Sequence, residues 1–192
     1  MQQNSPARLF QSALSCYQQR QYSQAETLCG KLLQLAPKSA DALHLMALCV
    51  AQHSSTQAKG YFQQALAAAP ANNSFKKNYA NFLLAQQYFA EALPLFQQLH
   101  QQMPDDSELA YGIAFIQHQQ KRHRAALNII NNTRIPTPQQ AKWRTLQARA
   151  LLECGEADAA AQVRAKHPAA KVCTVVMDLE QPQTINPAVE AS

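Results

Sequence analysis

Four prolines divide this chain at a nearly fixed interval. Pro70 follows Pro37 by 33 residues, and Pro104 and Pro138 each follow the proline before by 34. A period of this length marks a chain built from repeated supersecondary units, and it constrains the fold before any local motif does. Between Pro70 and Pro104 lie two apolar stretches with helical spacing, one ending near Gln87 and one near Met103, with a turn at Tyr88 and Phe89. Proline lacks an N–H and disfavours helix in the residue before it, so each proline closes the second helix of a pair.

The period is chemical as well as metrical. Ala25, Ala58, Ala92 and Ala126 each stand 12 residues before a proline, and Cys29, Phe62, Phe96 and Ile130 each stand 8 before. Earlier in each unit a small residue recurs at Ala13, Ala47, Ala80, Ala114 and Ala148. Small residues let helices approach closely, and the larger ones fill the space between them. Ala80 and Ala114 are therefore expected in tight contact between the helices of their own units. Ser23, Ser39 or Asp41, and the 105–108 run of Asp, Asp, Ser and Glu are the candidate helix caps.

With this period and these small positions, the sequence resembles the tetratricopeptide repeat family, a helix–turn–helix unit. The resemblance covers 6–167 as five units, at about 6–39, 40–72, 73–106, 107–140 and 141–167, followed by a tail at 168–192. It implies an all-α, right-handed α-solenoid of antiparallel helix pairs. The departures are specific. Leu9, Leu43, Lys76, Ala110 and Arg144 stand where the family has an early Trp, and the glycine between helices appears only as Gly155. Unit two is one residue short around Ser54 and Ser55, and unit five breaks at Pro168. The tail begins with a β-branched, apolar run at 172–177 and continues through Pro182 and Pro187 among polar and small residues, which reads as extended or disordered.

Composition narrows the function classes. An apolar fraction of 47% with 15% charged residues belongs to a folded chain. Only four glycines are present, no Gly-rich phosphate loop, Gly-x-Ser-x-Gly or His-Glu-x-x-His motif occurs, and the carboxylates concentrate at helix starts. These residues suggest neither an enzyme nor a cofactor. No run approaches the length of a membrane span, and the N-terminus has no basic patch leading into an apolar stretch, so the expectation is a cytoplasmic protein. The five cysteines form no Cys-x-x-Cys pair. Cys16, Cys29 and Cys49 lie on apolar stripes and are expected reduced and buried. His118 and His123 straddle a turn without the carboxylate or cysteine set that zinc needs, so no metal site is assigned.

The net charge of +5 is concentrated in three places: Lys76 and Lys77; Lys121, Arg122, His123 and Arg124; and Lys142, Arg144 and Arg149. The resemblance implies that the first helices of successive units line a groove that takes a peptide or helix of a partner protein. Carried over unit by unit, the groove candidates are Asp41, His44 and Leu48; Lys77, Asn78 and Asn81; Glu108, Tyr111, Phe115 and His118; and Lys142, Thr145 and Arg149. Tyr111 and Phe115 are four apart on one helical face. An aromatic pair rimmed by cations, with Glu108 offsetting part of the charge, suits a short partner segment carrying an acidic group and an apolar side chain.

One branch of the family holds chaperone C-terminal carboxylates in a basic clamp. Lys77, Asn81 and Lys142 match that clamp, but Gly112 and Leu146 replace two of its ligands. The main reading is a protein-interaction scaffold. Its rivals are the partner- or substrate-presenting region of a larger transferase or oxygenase, suggested by the β-like tail, and nucleic-acid binding through the basic turn.

Overall fold

The computed structural model describes residues 5–165. The tail from 168 onward, with its 172–177 run, lies outside the described residues. Ten α-helices fill the described residues, with one short 3-10 turn at Thr137–Gln139 and no strand. They are α1 (Pro6–Gln18), α2 (Tyr22–Leu35), α3 (Ala40–Val50), α4 (Ser55–Ala68), α5 (Asn73–Ala85), α6 (Phe89–Gln102), α7 (Ser107–Gln119), α8 (His123–Asn132), α9 (Gln140–Glu153) and α10 (Ala157–Ala165).

Capping explains where the first helix begins in four of the five pairs, α9 starting after Gln139 without a side-chain cap. The side chains of Ser5, Ser39, Asn72 and Asp106 accept from the backbone N–H of Arg8, Ala42, Phe75 and Glu108, at 3.4, 3.4, 3.2 and 2.9 Å. These caps recur with the same period as the prolines, so the repeat sets the helix starts as well as the stops. Two expected caps differ. Ser23 lies inside α2, which begins at Tyr22 after Gln21 with no side-chain cap. Ser107 is the first residue of α7, capped by Asp106, and its hydroxyl instead donates to Gln139 Oε1 at 2.8 Å.

Ala36, Ala69 and Met103, each directly before a proline, share one backbone conformation, with φ between −138° and −132° and ψ between 70° and 78°. This is the escape from helix that proline imposes on its predecessor.

The turn inside each pair has a second signature. Arg20, Gln87, Lys121 and Gly155 have φ of 60°, 62°, 62° and 82°. Each donates back three residues into the first helix, and the following residue donates back five, as Gln87 N–H does to Leu84 and Tyr88 N–H to Leu83. This double bond closes the helix in a Schellman turn. Unit two lacks a left-handed residue. Its turn is closed by His53 and Ser54 N–H, both donating to Val50 O, which accounts for the missing residue there.

The described residues divide into two compact units at a boundary inside α5, one to Tyr79 and one from Ala80. In the first, α1, α2, α3 and α4 pack in sequence and α3 also meets α1. Its core includes Ala13, Ala25, Cys29, Ala47, Cys49, Ala58 and Phe62, all at 0% exposure. In the second, α6 to α10 pack in sequence and α7 also meets α9. Its core includes Ala80, Ala92, Phe96, Ala114, Ala126, Ile130 and Ala148, all at 3% exposure or less. Ala114 shares a cluster with Ile130 of its own helix pair and with Trp143 and Leu146 of α9. Cys29 and Cys49 are buried free thiols, whereas Cys16 is only half-buried and contacts Gln24 near the surface.

Candidate functional site

Charge, aromatic area and accessibility meet on the paired faces of α7 and α9. Glu108 and Lys142 occupy equivalent positions one period apart, and Lys142 Nζ donates to both carboxylate oxygens at 2.6 Å. The same ammonium lies 4.7 Å from the centroid of the Tyr111 ring. Tyr111 is buried beneath it, edge-on to Trp143 at 5.3 Å, and stacks on Phe115 at 6.3 Å. Phe115 also meets Phe89 edge-to-face at 6.5 Å. Phe115 stays half-exposed, as does Phe89, while Tyr111 and Trp143 beneath it are sealed, so it presents an apolar surface on a rigid base.

Toward the end of α7, His118 is half-buried and its Nδ1 lies 3.0 Å from His123 Nδ1 across the Schellman turn. Burial lowers the His118 pKa; His123 and Arg149 push in the same direction, while Glu153 opposes them. Arg149 is exposed, and Thr145, one turn before it, is half-buried with its hydroxyl donating to Ala141 O. Among the described residues no group of three or more His, Cys, Asp or Glu side chains is arranged to hold a metal ion.

Other expected groove residues serve the interior. In the first unit, His44 is 2% exposed, and its ring stacks on Phe75 at 4.1 Å and meets Phe62 edge-on at 5.9 Å. Asn78, 1% exposed, donates from Nδ2 to His44 Nε2 at 3.2 Å. Leu48 is fully buried, Asp41 is exposed and Lys77 is half-buried. In the second unit, Asn81 is 6% exposed.

The chaperone clamp fails for a steric reason. A Cβ at Gly112 would stand 2.6 Å from the Phe96 ring, which is fully buried, so asparagine has no room. Leu146 is 3% exposed inside the Tyr111–Trp143 cluster. Both positions face inward.

Sequence reasoning did not find the cleft between α6 and α8, of about 920 Å³, bordered by His100, Asn128, Asn132 and Arg134. It lies beside the end of α8, which has 10 residues where α2, α4 and α6 have 14. The one signal near it is the extra Pro136 before Pro138, which bars helix at Ile135.

The tetratricopeptide repeat family profile matches residues 83–150. No curated protein matches the sequence. Solved structures match over most of the chain. A MamA structure from Desulfovibrio magneticus RS-1 aligns with a TM-score of 0.77 at 14% identity, covering 85% of this chain and 93% of that one. MamA of AMB-1 aligns at 0.75 and 15% identity, over 84% and 96%. A structure described as a functional characterization of Pseudomonas aeruginosa pilF aligns at 0.72 and 22% identity, over 88% and 78%. At these identities the likeness shows a shared all-α solenoid fold. Among the described residues no helix is long and apolar enough to cross a membrane.

Proposed function

Since the chain carries tetratricopeptide repeats on an all-α solenoid fold, we propose that it is a protein-interaction scaffold, and that the α7–α9 face holds a short segment of a partner. The single observation that carries this reading is the placement of Phe115. It is an accessible ring on a sealed base of Tyr111 and Trp143, with a neutralised ion pair on one side and basic groups on the other. Aromatic anchors of this kind supply binding energy, while rim charges set orientation and association rate.

The partner suited to this face carries an apolar side chain for Phe115 and an acidic group for the Arg149 guanidinium and the His118 imidazole. Lys142 contributes less attraction than its charge suggests, because Glu108 already occupies it. The buried free thiols Cys29 and Cys49 suit a reducing compartment, and we place the protein in the cytoplasm. The reading assigns no reaction to these residues. The rival in which the chain presents partners to a transferase or oxygenase drew on the 172–177 run, outside the described residues, and nothing on the α7–α9 face favours it.

The test is a pull-down followed by peptide mapping, with affinities then measured for the mapped segment. Phe115→Ala is expected to weaken binding by about 2 kcal/mol, roughly 30-fold. Lys142→Ala is expected to weaken it mildly and to change its salt dependence. A mapped segment that binds both variants as tightly as the parent would place the site elsewhere.

A further inference from the structure

His118 and His123 meet edge-to-face, with ring centroids 4.8 Å apart. The Schellman turn at Lys121 reverses the chain and brings the two Nδ1 atoms to 3.0 Å. A hydrogen bond between two imidazole nitrogens contains one proton: one nitrogen donates and the other accepts. Two protons would set N–H against N–H, so the isolated pair carries at most one charge.

The surroundings make even that charge costly. Arg149 and Glu153 of α9 act on His118, as does His123 at the start of α8. Lys121 and Arg122 are exposed in the turn, and Arg124 is exposed in the first turn of α8. α6, which also packs on α7, carries only Glu91 and His100 as titratable groups, and neither is among the groups that shift His118. The cluster is therefore rich in cations, with Glu153 the one carboxylate acting on His118. His118 is held toward its neutral form by burial first, with His123 and Arg149 adding to it and Glu153 opposing.

We propose that His118, His123 and Arg149 form the anion-receiving end of the partner groove, where an acidic side chain of a protein segment docks and one added proton, taken up at the outer nitrogen of the donating ring, charges the histidine pair. This rests on the α7–α9 reading above and specifies its partner. A carboxylate within a few ångströms favours the charged imidazolium and reverses the balance that keeps the pair short of a proton. Its two oxygens accept from an imidazolium N–H and from the planar guanidinium of Arg149. The proton comes from solvent, so binding strengthens as pH falls.

Geometry sets the pattern of the partner. His118 is three residues beyond Phe115 on the same helix, so the acidic group lies about one turn, ~5 Å, from the apolar side chain. Charge complementarity favours a protein segment over nucleic acid. Glu108 lies at the other end of this face and Glu153 beside the histidines, and both would repel a continuous polyanion.

The experiment uses the full chain labelled with ¹⁵N. It is titrated with a short blocked peptide holding two glutamates beside a leucine, and with the same peptide carrying glutamine in their place. The expected result has three parts. The glutamate peptide shifts the ring signals of His118 and His123 together with the Phe115 amide, and it binds up to about tenfold more tightly near pH 6 than near pH 8. Replacing both histidines by glutamine (His118→Gln with His123→Gln) abolishes the pH dependence but keeps the Phe115 response. Arg149→Gln weakens the glutamate peptide and not the glutamine one.

If the Phe115 amide responds with no shift at the histidines and no pH dependence, this proposal is overturned while the groove reading stands. Silence at both places overturns the two together. If a short single-stranded oligonucleotide displaces the peptide with a steep salt dependence, the cluster is a polyanion site and the proposal is likewise overturned.

Discussion

His44 is a titratable group in a place that has no use for charge. Asn78 donates to its Nε2, which fixes that nitrogen as an acceptor, and two aromatic rings enclose the imidazole. Burial pushes its pKa down to about 4 from the ordinary 6.5. The unfolded chain takes up a proton as pH falls through 6.5, and the folded chain does so only near 4. Stability is thus fully present above about pH 6.5 and is lost as pH falls toward 4, by on the order of 3 kcal/mol. Denaturant midpoints measured across this range should show the loss, and His44→Leu should flatten it whatever it does to stability at neutral pH. The sequence reading put His44 in the groove because it sits on a first helix. That reading failed because every residue of α3 from Ala42 to Val50 is buried. A helix apolar all round has no polar face by which to orient it. The signal was present in the run itself, where His44 is the one polar side chain. Gly112 makes the converse case, since its missing side chain is the space that Phe96 occupies. Gly112→Ala should gain up to ~1 kcal/mol of helix propensity but lose more to overpacking, for a net cost of about 1–2 kcal/mol. Phe96→Leu in the same chain should recover part of that loss. If Gly112→Ala stabilises the protein, the close packing is refuted.

At the scale of the element, the parts legible in the sequence are those fixed by local chemistry. Prolines end α2, α4 and α6, and side-chain caps begin α1, α3, α5 and α7. The turns within pairs were harder to read. Arg20, Gln87 and Lys121 adopt the left-handed conformation that glycine serves best, and only Gly155 announces it. The packing of the two helices holds these residues there against a steric cost of about 1–2 kcal/mol each. Gln87→Gly removes that cost at an exposed position. Glycine is also freer in the unfolded chain, so the net gain should be about 0.5–1 kcal/mol. Gly155→Ala should lose a similar amount. A chemical denaturation series on the two variants checks the pair, and opposite signs are the essential result. Pro94 interrupts α6 in sequence but not in structure. It lies within α6 with its ring exposed, so the helix is retained by the burial of Ala92, Phe96 and Leu99 on its other face.

For the whole molecule, the period told what kind of fold to expect, and it did so without any one well-matched unit. What it left out is how stability is distributed. In stacked repeats, stability is roughly a sum of local and neighbour terms, so different stretches can respond differently to one stress. The two compact units differ in what acid does to them. The first contains His44, almost fully buried and shifted far down. The second contains His118, shifted in the same direction but half-buried, so that solvent screening reduces its share. The second unit also holds Trp143, the one tryptophan of the chain, at 0% exposure between Tyr111 and Leu146. Its fluorescence therefore reports the second unit, whereas helical circular dichroism reports both. Near pH 7.5 the two probes are expected to give urea midpoints close to one another. Near pH 5, where the His44 penalty is largely developed, the dichroism midpoint should fall further than the fluorescence midpoint, and His44→Leu should close the gap. Coincident transitions at both pH values would mean that the units unfold as one, with the cost of the buried histidine shared along the array.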